Sequence, residues 1–381
     1  MPKARPRSRY SVWTARTART RTPMSASAAG IPAPQWPRFQ RQLLSWFARA
    51  KRTLPWRTTH DPYRIWLSEI MLQQTQVITV IPYYLRFVER FPDMKSLACA
   101  SLDDVLAVWS GLGYYSRARN LHLAAQIIMR EHAGKFPRDF ENVLKLPGIG
   151  SSTAAAICVF AYRQKRAILD GNVKRVLARC FGVAGYPGEK SVQEQLWRKS
   201  EALLPKCGIR AYTQGLMDLG AEVCLRRNPD CPACPLHRSC VAFKTGRVSE
   251  LPAPKPRKAL PHRQTVMLIL LHKGEVLLEK RPPAGVWASM WSFPEIAPED
   301  DVRAACAGRF AARVREPKWL PPLQHGFSHF ELNIRPVLLQ VDSVKQQAAE
   351  PGQLWLNLND AQHAALPAPV RKLLQQAAAY V

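Results

Sequence analysis

The chain has 381 residues, enough for about two domains and a tail, and its 55 Lys and Arg against 28 Asp and Glu give a formal net charge of +27. A basic excess of this size points to a polyanionic partner, with nucleic acid ahead of an anionic membrane surface. No window approaches the ~18 consecutive apolar residues of a transmembrane helix, and the N-terminus has no apolar core of a secretory signal.

Residues 1–34 are rich in Arg, Ser, Thr, Ala and Pro, lack acidic residues and carry seven positive charges between Lys3 and Arg21. Such a segment buries too little apolar surface to fold and is expected to be disordered. It suits a DNA contact, an organelle transit peptide, or an upstream extension of a reading frame that starts at Met24. From residue 35 to 245 the pattern is helical throughout. Phe39, Leu43, Trp46 and Phe47 form one stripe, which Leu54-Pro55-Trp56-Arg57 breaks. Ile65 to Pro82, Leu102 to Trp109, Arg117 to Arg130 and Glu194 to Leu204 are further helical segments. Residues 246–263 carry Pro252, Pro254, Pro256 and Pro261 among Arg247, Lys255, Arg257, Lys258 and Arg263. This stretch reads as an extended basic linker lying near a phosphate backbone. The composition then changes. Thr265 to Leu271 and Glu275 to Lys280, separated around Lys273-Gly274, predict a hairpin. Asp301 to Val314 predicts a helix, Phe330 to Val341 and Gln353 to Leu358 strands, and Val370 to Tyr380 a closing helix. Residues 264–381 are therefore a separate α+β domain.

Within the helical part, Leu146-Pro147-Gly148-Ile149-Gly150 closes one apolar segment and opens another, Ser151 to Ala161. The two glycines permit a tight turn that a Cβ would block. The helix start behind them presents N–H groups at the positive end of its dipole, a ready site for phosphate. Ala167 to Leu169 then delivers Asp170 to the start of another helical pattern, a favoured position for a capping Asp and one that favours its ionised form. Glu69 has Ile65, Trp66, Leu72 and Gln73 as helical neighbours. A carboxyl among such side chains keeps its proton near neutrality. One protonated and one ionised carboxyl is the division of labour that cleaves glycosidic bonds.

The nine cysteines are an odd number, and four of them lie in Cys224-x6-Cys231-x2-Cys234-x5-Cys240. That distribution fits a reducing compartment with one metal site. Four close thiolates suit either Zn²⁺ or an iron–sulfur cluster. With only one short Cys-x-x-Cys knuckle, the spacing tilts modestly toward iron–sulfur.

Trp66-Leu67-Ser68-Glu69, Gln73-Gln74-Thr75-Gln76, Gly111-Leu112-Gly113-Tyr114-Tyr115, the Leu146–Gly150 turn, Leu169-Asp170-Gly171-Asn172-Val173 and the cysteine spacing together resemble the MutY-type adenine DNA glycosylases, within the helix-hairpin-helix class that includes endonuclease III. The resemblance covers about residues 36–380. It implies a multidomain chain: an all-α helix-hairpin-helix glycosylase domain (hairpin 139–161, iron–sulfur loop 224–240), joined to a C-terminal α+β Nudix-like domain. It implies removal of adenine mispaired with 8-oxoguanine or guanine in double-stranded DNA, and one [4Fe–4S] cluster on Cys224, Cys231, Cys234 and Cys240. By the same resemblance Glu69 protonates N7 of a flipped adenine, Asp170 stabilises the oxocarbenium-like sugar, and Asn172 supports both. Gln74 and Tyr114 match positions that enter the duplex, and Trp56, Arg57 and Gln214 match positions near the adenine pocket. Bifunctional relatives carry a lysine where this chain has Ser152, so strong lyase activity is not expected.

The last domain resembles a Nudix domain, with Pro283 to Pro294 in the expected loop. The carboxylate-rich helix of Nudix hydrolases is absent around Arg303-Ala304-Ala305-Cys306, so nucleotide hydrolysis is not expected. Phe327-Ser328-His329 matches the loop that recognises 8-oxoguanine. Two other readings compete. One is an endonuclease III-like pyrimidine glycosylase, opposed by Ser152 and the C-terminal domain. The other is a non-enzymatic DNA-binding protein, opposed by the Glu69–Asp170 pair. A monomer is expected, with no membrane association. The compartment would be the cytoplasm and nucleoid in a bacterium, or the nucleus or mitochondrion in a eukaryote.

Overall fold

Two separate apolar cores, rather than one, determine where the helices lie. In the computed structural model, which describes residues 35–256, 259–344 and 352–380, the helical part contains α1 (Trp36–Ala50), α2 (Pro62–Met71), α3 (Val77–Arg90), α4 (Met94–Cys99), α5 (Leu102–Trp109), α6 (Ser116–Glu131), α7 (Phe140–Lys145), α8 (Ser151–Tyr162), α9 (Gly171–Phe181), α10 (Lys190–Ala202), α11 (Ile209–Asp218) and α12 (Val241–Lys244). The basic tail, and Arg257 and Lys258 of the linker, lie outside the described residues. One core takes Trp66, Leu67, Ile70 and Met71 of α2 with Val80, Phe87, Trp109 and Leu121. The other takes Phe39 and Leu43 of α1 with Val173, Val176, Leu177, Tyr212 and Leu216. Helices α2 and α8 are shared. Ile65 faces the second core although its neighbours face the first, and Ala154, Ile157 and Cys158 of α8 oppose Ala155, Ala156, Val159 and Phe160. A helix apolar all round can only sit between two such masses.

The segment expected to run as one helix from Ile65 to Pro82 is broken. Helix α2 ends at Met71, and Gln74 adopts φ 58° before α3 begins at Val77. The all-α reading of this part otherwise holds, with the hairpin formed by α7 and α8.

The second domain is built on β1 (His262–His272), paired in parallel with the long β8 (Glu331–Val344) and antiparallel to β2 (Glu275–Lys280) through the expected turn at Lys273-Gly274. Short strands β3 (Trp291–Ser292), β4 (Glu295–Ile296), β5 (Ala312–Val314), β6 (Lys318–Trp319), β7 (Leu323–Gly326) and β9 (Gln353–Asn357) complete the sheet. Alternate residues of β1 serve two layers. Val266, Leu268 and Leu270 pack on Val302, Cys306 and Phe310 of α13 (Val302–Phe310). Met267, Ile269 and Leu271 face α14 (Leu358–His363) and α15 (Ala368–Ala377), in a core continuous with that of the helical domain.

Strand β8 and helix α15 shift by one to three residues from the expected bounds, and two other boundaries change what an element does. Strand β1 absorbs His262 and Arg263, which the sequence assigned to the linker. The helix expected over Asp301 to Val314 stops at Phe310, with Ala311 at φ 47°. Ala312–Val314 pairs instead with Val341–Val344 of β8.

The two domains touch directly. Arg119 Nη1 donates to Ala288 O (2.9 Å), Ser110 Oγ to Leu366 O (2.8 Å), and Lys280 pairs with Asp103.

Candidate active site and cysteine loop

The hairpin has the form its sequence requires, with one correction. Gly148 adopts φ 78°, and a Cβ there would meet Asn120 Cβ at 2.9 Å. Gly150 has an ordinary φ of −97° and open space around it. Sterics thus demand glycine only at the first position, and the second leaves the start of α8 bare for a ligand. Leu146 and Ile149 anchor the turn in the core.

Where the two cores part, a cavity of about 800 Å³ opens, lined by Phe47, Trp56, Arg57, Ser68, Glu69, Phe160, Lys165 and Gln214 among others. Its size lies in the range of small-molecule sites, about 300–1,000 Å³. The structure therefore gathers Glu69 with all three residues expected at the adenine pocket. Trp56 is buried edge-on against Tyr84, with ring centroids 5.1 Å apart. Arg57 is held from behind by Asp218, Nη1 to Oδ2 at 2.8 Å, and Gln214 Nε2 reaches Asp218 Oδ1 at 3.3 Å. Arg52 joins the same carboxylate at 2.8 Å. Asp218 and Arg52 had no signal in the sequence, since Asp218 lies more than 150 positions from both Arg52 and Arg57. Only the rule that a buried carboxylate needs a cation would have raised the question.

Loss of water around Glu69 is the largest influence on it. Together with the charge of Asp170, and against the opposing Arg57, it raises the carboxyl to about 8. Asp170 caps α9 as expected, Oδ1 accepting from Val173 N–H at 2.7 Å. Its expected shift needs correcting: burial outweighs the helix-start hydrogen bonds, Arg175 and Lys174, and the net direction is upward. The helix start moderates the rise without reversing it, because the capping bonds act on a group that is half-buried.

The approach to Asp170 is fixed from outside. Ser152 Oγ accepts from Leu169 N–H at 3.0 Å, and Ser200 Oγ donates to Ile168 O at 2.8 Å. Asn172 Oδ1 accepts from Arg175 Nη2 at 2.8 Å, and the same guanidinium donates to Gly220 O and Cys224 O, each at 2.6 Å. One side chain thus joins the loop of Asp170 to the first cysteine of the loop.

Cys224, Cys231, Cys234 and Cys240 line a single, mostly apolar cavity with Val176, Leu219 and Phe243. Buried Arg179 points into this region, donating to Cys224 Sγ (3.3 Å), Leu225 O (2.6 Å) and Leu251 O (2.8 Å). A buried guanidinium beside four thiols suits a group that carries thiolate charge. Among the described residues no three His, Cys, Asp or Glu side chains converge as one metal ion requires. Four thiols on one cavity beside a buried guanidinium are a donor set whose chemistry would suit a thiolate-bound metal group.

Gln74 and Tyr114 lie far from the first cavity in role but close to the hairpin. Both border a space of about 270 Å³ shared with Gln73, Arg117, Asn120, Pro147 and Gly148. Both are exposed, and both hold positive φ, 58° and 49°. Left-handed backbone of this kind costs about 1–2 kcal/mol per residue.

In the second domain, Phe327 closes a turn with Phe330, N to O at 2.9 Å, and the two rings stack at 4.4 Å. Trp287 and His325 pack on the other side of Phe327, leaving Ser328 and His329 exposed at the tip.

Two family models match the chain: the HhH-GPD superfamily of base excision DNA repair proteins over residues 67–202, and the NUDIX domain over residues 265–376. The adenine DNA glycosylase of Buchnera aphidicola (subsp. Baizongia pistaciae) is 37% identical over 88% of this chain and 95% of its own length. The human adenine DNA glycosylase is 31% identical over 88% of this chain and 73% of its own. Among solved structures, a thermostable thymine-DNA glycosylase superposes with a TM-score of 0.50 at 28% identity, covering 56% of this chain and 98% of that one. No described helix is long and apolar enough to cross a membrane.

Proposed function

The chain belongs to the adenine DNA glycosylase family of base-excision repair enzymes, and from that premise we propose that it removes adenine paired with 8-oxoguanine or guanine by simple hydrolysis, acting as a monomer. The observation that carries the reading is Glu69, its carboxyl raised to about 8 on the wall of a cavity large enough to admit a base with its sugar. A base in a stacked duplex is out of reach, so the adenine is flipped into that cavity. Gln74 and Tyr114 take its place beside the estranged partner base, while the N–H groups at the start of α8 hold a phosphate.

Glu69 donates its proton to N7 of the adenine, and the C1′–N9 bond breaks with its electron pair going to the base. The sugar is left as an oxocarbenium ion, which Asp170 stabilises as a carboxylate, with Lys174, Arg175 and the Val173 N–H all favouring its charge. Water adds at C1′, and its proton returns to the carboxyl pair. Asn172, tied to Arg175, keeps the Asp170 loop in place. With Ser152 at the position of the bifunctional lysine, no amine attacks the sugar and the strand stays intact. Phe327, Ser328 and His329 read the 8-oxoguanine.

Cys224, Cys231, Cys234 and Cys240 are the residues that would hold a [4Fe–4S] cluster. Bound there, it would cross-link residues 224–240 and supply the negative charge that Arg179 faces. The choice of a cluster over zinc rests on the family resemblance and on four sulfurs surrounding a common space.

The test is single-turnover excision from duplexes carrying adenine opposite 8-oxoguanine or guanine, with and without alkali. The parent should excise adenine and leave a site that nicks only in alkali. Asp170→Asn should lose excision while still binding the duplex. A mutant as fast as the parent removes the catalytic assignment, and prompt, borohydride-trapped nicking removes the monofunctional one.

A further inference from the structure

Arg117 is buried to 7% exposure at the start of α6, a costly place for a guanidinium unless its donors are used. They are. Nη1 donates to the carbonyls of Ile70 (3.1 Å), Met71 (2.7 Å) and Gln73 (2.6 Å). Nη2 donates to Thr75 Oγ1 (3.1 Å) and to the carbonyls of Leu112 (3.4 Å) and Gly113 (3.1 Å). The Ile70 and Met71 carbonyls lie at the C-terminal end of α2, the end of a helix that welcomes a cation. The others belong to the two loops that carry Gln74 and Tyr114. The guanidinium also lies 5.5 Å from the centroid of the Tyr114 ring. One turn further along α6, Asn120 sits beneath Gly148 of the hairpin.

A single face of α6 thus underlies all three loops bordering the 270 Å³ space, and among the described residues only the Arg117 side chain hydrogen-bonds to both the Gln74 loop and the Tyr114 loop. Leu72 and Leu112 of the two loops pack into the same core, but no hydrogen bond runs directly between residues 72–76 and 111–114 among the described residues. We infer that Arg117 is a positioning residue for base flipping: its guanidinium fixes the spacing between Gln74 and Tyr114, so that both enter the duplex together. This rests on the reading of those two residues as the ones that enter the duplex. A lysine cannot replace it, because an ammonium offers three donors from one point where the planar fork reaches acceptors on two separate loops.

The experiment compares two duplexes. In one, adenine is opposite 8-oxoguanine. In the other, it is opposite an abasic-site analogue, where no base pair has to be broken and no partner base held apart. Excision is measured under single turnover for the parent, Arg117→Lys and the milder Thr75→Val, which removes one acceptor and leaves the guanidinium in place. A fluorescent adenine analogue reports flipping directly.

Misplacing a reacting group by about 1 Å can cost about a hundredfold, and a loss of that order is expected for Arg117→Lys on the paired substrate, with reduced flipping. On the unpaired substrate the variant should run close to the parent. Thr75→Val should show the same selective deficit at smaller size. Equal losses on both duplexes, or none on either, overturn the positioning role. If Arg117→Lys does not fold, Thr75→Val alone decides by the same criterion. If the parent itself excises adenine from neither duplex, it is the proposed function that fails, a different result from failure of Arg117.

Discussion

Replacing Glu69 with glutamine should slow the enzyme and stabilise the protein at the same time. Burial and the charge of Asp170 raise this carboxyl from 4.5 to about 8. Between those values the unfolded chain has released a proton that the folded chain still holds. The folded state therefore loses ground as pH rises through the window, and the cost levels off above it. At 1.36 kcal/mol per pH unit the cost is about 1 kcal/mol at pH 5 and on the order of 3 kcal/mol at pH 7. The Glu69→Gln variant has no such titration. Its stability advantage over the parent should grow by roughly 2 kcal/mol between pH 5 and pH 7, or about 4–8 °C in the melting midpoint of a domain of this size. Excision should meanwhile fall by about 10²–10⁴, the usual worth of a general acid. The parent's rate should hold from pH 6 to 7 and drop about tenfold per unit well above pH 8, as the proton is lost. Melting curves at two pH values and a single-turnover pH profile measure both effects. A melting difference that is the same at pH 5 and pH 7 would refute the half-buried, protonated carboxyl, whatever the activity does.

Ser152→Ala leaves the Leu169 N–H without its partner, which costs about 1–3 kcal/mol when such a donor is buried. It should slow excision without weakening duplex binding, and an unchanged rate would mean that the bond positions nothing. Cys231→Ser should abolish visible absorbance from a cluster and weaken DNA binding; a retained band would exclude Cys231 as a ligand. Replacing Ser328 and His329 together by alanine should erase the preference for 8-oxoguanine over guanine while leaving the rate on the guanine mispair near the parent's. A variant that keeps the preference would move lesion recognition elsewhere.

Local chemistry was readable from sequence, and long-range compensation was not. The Leu146–Gly150 turn, the β1–β2 hairpin at Lys273-Gly274 and the cap at Asp170 are written in a few adjacent residues, and the structure contains all three. The break after Met71 is not. Gln73-Gln74-Thr75-Gln76 has no glycine or proline to announce it, and the carbonyls freed there are taken up by Arg117 from a helix more than 40 positions away. Ala312–Val314 likewise had a helical pattern and became a strand because the end of β8 offered unpaired backbone. At the site, Glu69 could be read from its helical neighbours, whereas the upward shift of Asp170 could not, since its burial comes from elements distant in sequence.

The two-core plan of the helical domain gives these facts a common origin. Helix α2 has apolar residues on nearly every face, so it must be sandwiched, and it contributes Ile65 to one core and Trp66, Leu67 and Ile70 to the other. Glu69 falls on the strip that neither core covers fully, facing the cavity between them. There it loses part of its water without being given a firm cation of its own, because the guanidinium that acts on it, Arg57, is already committed to Asp218. A carboxyl so placed is raised by the packing that holds the domain together. A second lysine or arginine free to reach it would lower its pKa and remove the proton donor, so the pairing of Arg57 with Asp218 protects the acid as much as it shapes the pocket. The same reasoning separates the two carboxylates: Asp170 meets a helix start, Arg175 and Lys174, which oppose its rise, whereas among the described residues the charge of Arg57 is what opposes the rise of Glu69.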